Sequence, residues 1–122
     1  MQIRLGFVHV PSWLGNRLLP RRTLLQAVRL GPVLFLAVPG EVASETGQEL
    51  ERLAGSQGWM PFILGYANDY IAYVIPHRYY RDQTRYEART SFYGPHLAEF
   101  MQQQVRHLLH RLGMTEEPAR LN

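Results

Sequence analysis

Acidic, amide and phenolic side chains follow two apolar runs of this sequence, close to the point where each run ends. Glu41 follows the run at residues 33–38, and Asn68, Tyr70 and Tyr73 follow the run at residues 61–66. If the two runs are parallel strands of one sheet, these side chains meet at its carboxyl edge, where α/β sheets bind ligands. The sequence therefore predicts a pocket between Glu41 and the segment 68–73.

Each of these residues also has a purely structural interpretation. Glu41 precedes a predicted helix, where a carboxylate can cap free amides and is favoured by the helix dipole. Asn68 and Asp69 are common turn formers, because their side chains readily close local hydrogen bonds. Tyr70 and Tyr73 can be half-buried aromatic residues with satisfied hydroxyl groups. Residue types alone leave both interpretations open.

The elements that position these residues follow from the hydrophobic periodicity. The continuous apolar run 33–38 predicts a central strand covered on both faces. Apolar residues then recur every three or four positions up to Gly55, which predicts an amphipathic helix. The next run, 61–66, predicts a second strand, so that residues 33–66 form a strand, helix, strand crossover with parallel strands.

The rest of the chain completes one predicted α/β domain over residues 1–122. Residues 2–10 alternate as an edge strand, and residues 23–30 predict a strand that forms a hairpin through Gly31. Residues 69–75 fit either a strand or an ordered loop, and residues 76–93 predict a long ordered loop. A helical stripe runs from Pro95 to Gly113, and residues 115–122 form a frayed polar tail. The predicted fold is a mixed, partly parallel sheet with one crossover helix and a long C-terminal helix.

Composition excludes several kinds of chemistry. The 122 residues include no cysteine and no lysine, which rules out disulfides, thiolate ligands, cysteine nucleophiles and lysine catalysis. The 13 basic residues are all arginine and are spread along the chain, a pattern that argues against nucleic-acid binding. The chain has no secretory signal and no apolar stretch long enough to span a membrane, so as given it is expected to be soluble.

Three successive motifs resemble those of the neutral/alkaline non-lysosomal ceramidase family. They are VPGE at residues 38–41, NDYIAY at residues 68–73 and YEARTSFYGPH at residues 86–96. The resemblance covers residues 23–112 and is specifically to the last part of the family's amidase domain. The third motif is the most specific of the three, and VPGE alone is weak.

This resemblance implies a zinc amidase that splits the N-acyl bond of ceramide. Family members hold zinc with two histidines, a glutamate and a tyrosine, and the last two positions match Glu41 and Tyr73. Tyr86 matches a donor to the tetrahedral oxyanion, and Asn68 and Tyr70 help to shape the site. Zinc accepts carboxylate oxygen and lowers the pKa of the groups it binds, so these donors suit the ion.

The histidine ligands and the serine nucleophile of the family belong to motifs upstream of this segment, and neither motif occurs here. His96 is interpreted as structural. His77 stands where relatives carry an acidic segment, which prevents any transfer of substrate preference. His107 and His110 fit a solvated helix face.

The leading hypothesis is a C-terminal segment of a ceramidase-like amidase, inactive alone and completed by an upstream segment of the same domain or by a partner chain. The lipid amide substrate of relatives implies a parent protein that is exported or membrane-associated. The alternative is a non-catalytic binding or assembly module that self-associates as a homo-oligomer. A third reading is a small independent hydrolase that uses Glu41 with a local histidine.

Overall fold

The computed structural model describes residues 3–5, 8–10, 19, 20 and 22–114. The strands are β1 (Ile3–Leu5), β2 (Val8–Val10), β3 (Gln26–Leu30), β4 (Val33–Ala37), β5 (Glu41–Val42), β6 (Met60–Leu64) and β7 (Tyr73–Val74). The helices are α1 (Ser44–Gly55), α2 (Tyr86–Arg89) and α3 (Leu97–Met114), with a 3-10 turn at His77–Tyr79.

In this part of the chain β4 is the central strand of a three-stranded sheet. It pairs antiparallel with β3 and parallel with β6, with Phe35 opposite Phe62 in the parallel register. The β3–β4 hairpin turns at Gly31, whose φ of 59° is a conformation that glycine adopts without steric cost. The predicted hairpin and the predicted parallel pair are both confirmed.

The main core lies between one face of this sheet and the two long helices. Leu34 and Leu36 of β4 are completely buried, as are Leu50 of α1 and Val105 of α3. Burying a leucine side chain contributes about 1.5–3 kcal/mol, so these residues fix both helices against the sheet. The mixed α/β fold with a crossover helix and a long C-terminal helix is thus observed as predicted.

The opposite face of the sheet, called here the outer face, carries large apolar side chains with little cover. Val28 and Leu30 of β3 are 42% and 63% exposed, and Phe62 and Leu64 of β6 are 47% and 45% exposed. Phe35 is half-buried and stacks on Phe62. The prediction that β4 is covered on both faces is therefore wrong for the described chain, because only the inner face packs against helices.

The N-terminal prediction also needs correction. Instead of one strand over residues 2–10, β1 and β2 pair antiparallel with Ile3 opposite Val10. An alternating pattern cannot distinguish one strand from two short strands that fold back on each other. The predicted tail at residues 115–122 lies outside the described residues.

The segment after β6 has less regular structure than a full strand. Of residues 69–75, which fit either a strand or a loop by sequence, only Tyr73 and Val74 pair as β7. Residues 76–93 form the predicted ordered loop, interrupted by the 3-10 turn and by α2. Among the described residues, no helix combines the length and apolarity that crossing a membrane requires.

Candidate active site at the carboxyl edge of the sheet

Backbone hydrogen bonds join the segments that leave β4 and β6. The amide of Ala67 donates to the carbonyl of Val38 at 3.0 Å, and the amide of Tyr66 donates to the carbonyl of Gly40 at 3.1 Å. The amide of Ile71 donates to the carbonyl of Pro39 at 2.7 Å. These bonds hold residues 38–41 against residues 66–71, as expected for two loops at the same sheet edge.

The contact is closest at Gly40. A Cβ atom at this position would lie 2.6 Å from the carbonyl oxygen of Ala72 and 3.0 Å from Cγ1 of Ile71. Only glycine permits this approach, because a methyl group would overlap backbone. The facing segment is itself unusual, since Tyr66, Asn68 and Ala72 have φ values of 55°, 68° and 64°. Such left-handed conformations cost energy in non-glycine residues and occur preferentially at functional sites.

This geometry brings Glu41 and Tyr73 together. They are directly opposite each other in the parallel β5–β7 pair, and the Tyr73 hydroxyl donates a short hydrogen bond to Glu41 Oε1 in a partly buried setting. This hydrogen bond, followed by burial and the charge of Glu41, raises the pKa of Tyr73. The phenol therefore keeps its proton at neutral pH in this chain.

The alternative role of Glu41 as a helix cap is not what the structure shows. Helix α1 begins after Ala43, which provides no side-chain cap, and Glu41 lies before that position in β5. Its carboxylate instead accepts hydrogen bonds from phenols of the segment across the edge.

Three further tyrosines surround the pair. The ring of Tyr86, 59% exposed, lies edge-on against Tyr73 with centroids 5.7 Å apart. Tyr66 stacks flat on Tyr70 at 5.4 Å. A hydrogen bond to Glu41 is the main reason that the pKa of Tyr66 rises to about 12. Burial, and next the charge of Glu41, raise the pKa of Tyr70.

Tyr66 is the site residue that sequence reasoning misses. The apolar run predicts it as the end of the strand at residues 61–66, whereas β6 ends at Leu64 and Tyr66 already lies in the loop. The available signal is its place immediately after Gly65, at the same sheet edge as the NDYIAY motif.

Asn68 and Asp69 have mainly local or peripheral contacts. The side-chain amide of Asn68 donates to Gln26 Oε1 on β3 at 3.4 Å. Asp69 Oδ1 accepts the backbone amide of Tyr70 at 2.8 Å, which is the turn-forming role that its residue type favours. Asn68 thus links the segment after β6 to β3, and its side chain makes no hydrogen bond to Glu41 or Tyr73.

The Glu41–Tyr73 pair fits zinc as half of a ligand set. A carboxylate and a phenol offer the hard oxygen donors that Zn²⁺ accepts, and the two atoms already touch. Among the described side chains, however, Glu41 belongs to no group of three histidine, aspartate or glutamate residues close enough to share an ion. The remaining ligands would have to come from another segment or chain. The hypothesis of a small independent hydrolase that uses Glu41 with a local histidine is not supported by any such group among the described side chains.

Comparison with known proteins shows that the chain is similar in sequence to neutral ceramidases. The chain is 30% identical over 112 residues to neutral ceramidase A of Dictyostelium discoideum, which covers 87% of this chain and 15% of that protein. It is 31% identical to neutral ceramidase 3 of Arabidopsis thaliana over 78% of this chain and 14% of the relative. The resemblance to the neutral ceramidases is confirmed.

Solved structures extend the neutral-ceramidase likeness to the fold. A ceramidase complexed with C2 superposes with a TM-score of 0.66 at 27% identity, over 75% of this chain and 15% of that one. Neutral ceramidase from Pseudomonas aeruginosa gives a TM-score of 0.62 at 28% identity, over 71% and 15% of the two chains. No family model matches the chain. The chain thus spans about 15% of the length of these ceramidases.

Proposed function

We propose that this chain is the part of a ceramidase-like zinc amidase that supplies two oxygen ligands and an oxyanion donor. The observation that carries the proposal is the contact between Glu41 and Tyr73 at the carboxyl edge, with Tyr86 packed against Tyr73. The substrate class is an N-acyl amide of a ceramide-like lipid, which would place the complete protein at a membrane or outside the cell.

A bound zinc would supply Lewis acidity and lower the pKa of a ligated water or phenol. In the chain alone the Tyr73 hydroxyl keeps its proton and donates it in a hydrogen bond to Glu41, and ligation of a metal would require Tyr73 to release that proton. Glu41 and Tyr73 lie directly opposite each other in the β5–β7 pair, which keeps both side chains on the same side of the edge. Tyr86 is largely exposed and its ring packs against Tyr73, so its hydroxyl is a candidate donor to a developing oxyanion.

The outer face supports the idea that the chain is completed by another segment. Its apolar side chains on β3 and β6 form a continuous exposed surface, of the kind that in soluble proteins marks an interface. An upstream segment of the same domain, or a partner chain, would cover that face and bring the missing histidine ligands and the serine nucleophile.

The test is a chimera in which this chain replaces the matching segment of the Pseudomonas aeruginosa neutral ceramidase. We expect hydrolysis of a short-chain ceramide by the chimera and none by the isolated chain. Loss of a group that merely orients a ligand costs about 10–100-fold, so Glu41→Gln and Tyr73→Phe should each cost about 100-fold or more. Tyr86→Phe should lower kcat by about 10²–10³.

Glu51→Gln is the matched control, because Glu51 is an exposed carboxylate on α1 away from the edge. It should leave the rate of the chimera unchanged. Full activity in the Glu41→Gln chimera, or zinc-dependent turnover by the isolated chain, would refute the proposal.

The second candidate function is a self-associating module without catalysis, and the outer face is the observation that favours it. In that case the isolated chain forms a defined dimer in sedimentation equilibrium. Phe62→Glu, at a position 47% exposed on β6, would make it monomeric. A defined dimer combined with an inactive chimera would favour this module over the amidase segment.

A further inference from the structure

Two histidines and a glutamate form a cluster away from the Glu41–Tyr73 pair. His77 begins the 3-10 turn, His96 immediately precedes α3, and Glu99 lies in the first turn of that helix. One ligand atom from each lies within 4.8 Å of the other two, and all three residues are exposed. The two imidazole rings are in contact, with centroids 4.5 Å apart at an angle of 62°.

The positions of these residues follow from two separate elements. His96 and Glu99 are three residues apart, which places them on the same side of the helix start. The backbone amide of Phe100 donates to the carbonyl of His96 at 3.0 Å, so His96 is fixed at the beginning of α3. Contact between the 3-10 turn and α3 then brings His77 alongside.

We propose that His77, His96 and Glu99 form a surface site for a divalent transition metal, with Zn²⁺ as the preferred ion. Two imidazoles and one carboxylate are a ligand set that zinc accepts at about 2.0–2.2 Å, with a water completing the tetrahedron. Ligand atoms up to 4.8 Å apart must draw closer to meet that geometry. Because all three side chains are exposed, rotation about their χ angles can bring them closer without disturbing the core.

The surrounding charges permit a cation at this position. Arg78 is the nearest basic residue in sequence to His77, and its guanidinium is engaged in an ion pair with Glu45. The amino end of α3 disfavours positive charge, and the carboxylate of Glu99 in its first turn offsets that effect. Glu99 therefore supplies the negative charge that makes a bound cation favourable at this site.

A metal here would join the two ends of the loop that carries Tyr86. His77 lies at the start of this loop, residues 76–93, and His96 lies just after its end. The carbonyl of Thr90 within the loop accepts a hydrogen bond from the amide of Tyr73 at 3.3 Å. Bridging the ends reduces the conformational freedom of the loop. A metal bound at this site would thus restrict the motion of the loop, whether or not the proposed amidase function holds.

The test is isothermal titration of the full chain with ZnCl₂, supported by the visible absorption of bound Co²⁺. We expect one site that His77→Ala and Glu99→Gln each weaken by about tenfold or more. His110→Ala is the matched control, because His110 is an exposed histidine on the same helix. It should leave the affinity unchanged.

The result is independent of hydrolysis, so failure here and failure of the proposed function are distinguishable. Absence of Zn²⁺ binding at micromolar concentrations would overturn the inference. Binding that survives both His77→Ala and Glu99→Gln would overturn it as well. Circular dichroism of each variant checks that the fold is retained.

Discussion

Replacing Gly40 by alanine tests whether the close contact at this position builds the candidate site. Gly40 does not have a positive φ, so alanine is acceptable to the backbone itself and the effect must come from contact. The new methyl would lie 2.6 Å from the carbonyl oxygen of Ala72 and 3.3 Å from Cγ2 of Val74. That carbonyl cannot rotate away, because it accepts the amide of Glu41 at 3.0 Å.

The cost has two parts. Overpacking against a rigid neighbour costs about 1–3 kcal/mol. Separating β5 from β7 loses one or two hydrogen bonds at about 0.5–1.5 kcal/mol each. Gly40→Ala should therefore lower the free energy of unfolding by about 1.5–6 kcal/mol. With a urea m-value of about 2 kcal/mol/M, the unfolding midpoint falls by about 0.8–3 M.

Gly47→Ala is the control for this experiment. A Cβ at Gly47 meets only Cγ1 of Val42, at an ordinary 3.9 Å, and the residue lies inside α1. Alanine there should stabilise the chain by about 0.5–1 kcal/mol, because glycine is a poor helix former. An unchanged midpoint for Gly40→Ala, or equal losses in the two variants, would refute the role of the Gly40 contact.

Three other perturbations test the site and the core. Glu41→Gln should return the pKa of Tyr66 from about 12 towards the ordinary value near 10, so that its ionised fraction at pH 11 rises from about one-tenth to about nine-tenths in a titration at 295 nm. An unchanged titration curve would contradict the hydrogen bond. Because Tyr66 and Tyr73 have raised pKa values, the stability that they provide is complete below about pH 10 and is lost as the pH rises towards 12 and above. The urea midpoint of the unaltered chain should therefore fall more steeply over this pH range than the midpoint of the Glu41→Gln variant. Leu34→Ala should cost about 2–5 kcal/mol because the side chain is fully buried, whereas Leu24→Ala, at 54% exposure, should change stability by no more than about 0.5 kcal/mol, and equal effects would contradict the described core.

Part of the candidate site is predictable from the amino-acid sequence. The VPGE and NDYIAY segments each follow an apolar run with strand character, and the helical period between the runs requires a crossover. Parallel strands joined in this way bring Glu41 and Tyr73 to the same edge, where the structure shows them in a hydrogen bond. Their roles as metal ligands stay predictions.

Other features could not be predicted because they depend on pairs of distant residues. Tyr66 reaches Glu41 only through the left-handed turn after β6, which its own residue type does not favour. No sequence pattern groups His77 with His96, and only the contact between the 3-10 turn and α3 places them together with Glu99. The exposure of the outer face likewise depends on which segments pack against the sheet.

The sequence by itself determined the order of the main elements from β3 to β6 and the buried face of helix α1. The signals behind these predictions are the spacing of apolar residues, the turn at Gly31 and the glycines near the helix ends. Each is local, because it depends on residues only a few positions apart. Tertiary structure alone decided which side chains touch across β5 and β7, how the tyrosines surround Glu41 and where the histidines meet. Those contacts join residues far apart in the chain. Their geometry depends on interatomic distances to within a few tenths of an ångström, as at Gly40, and no local sequence pattern encodes distances of that precision.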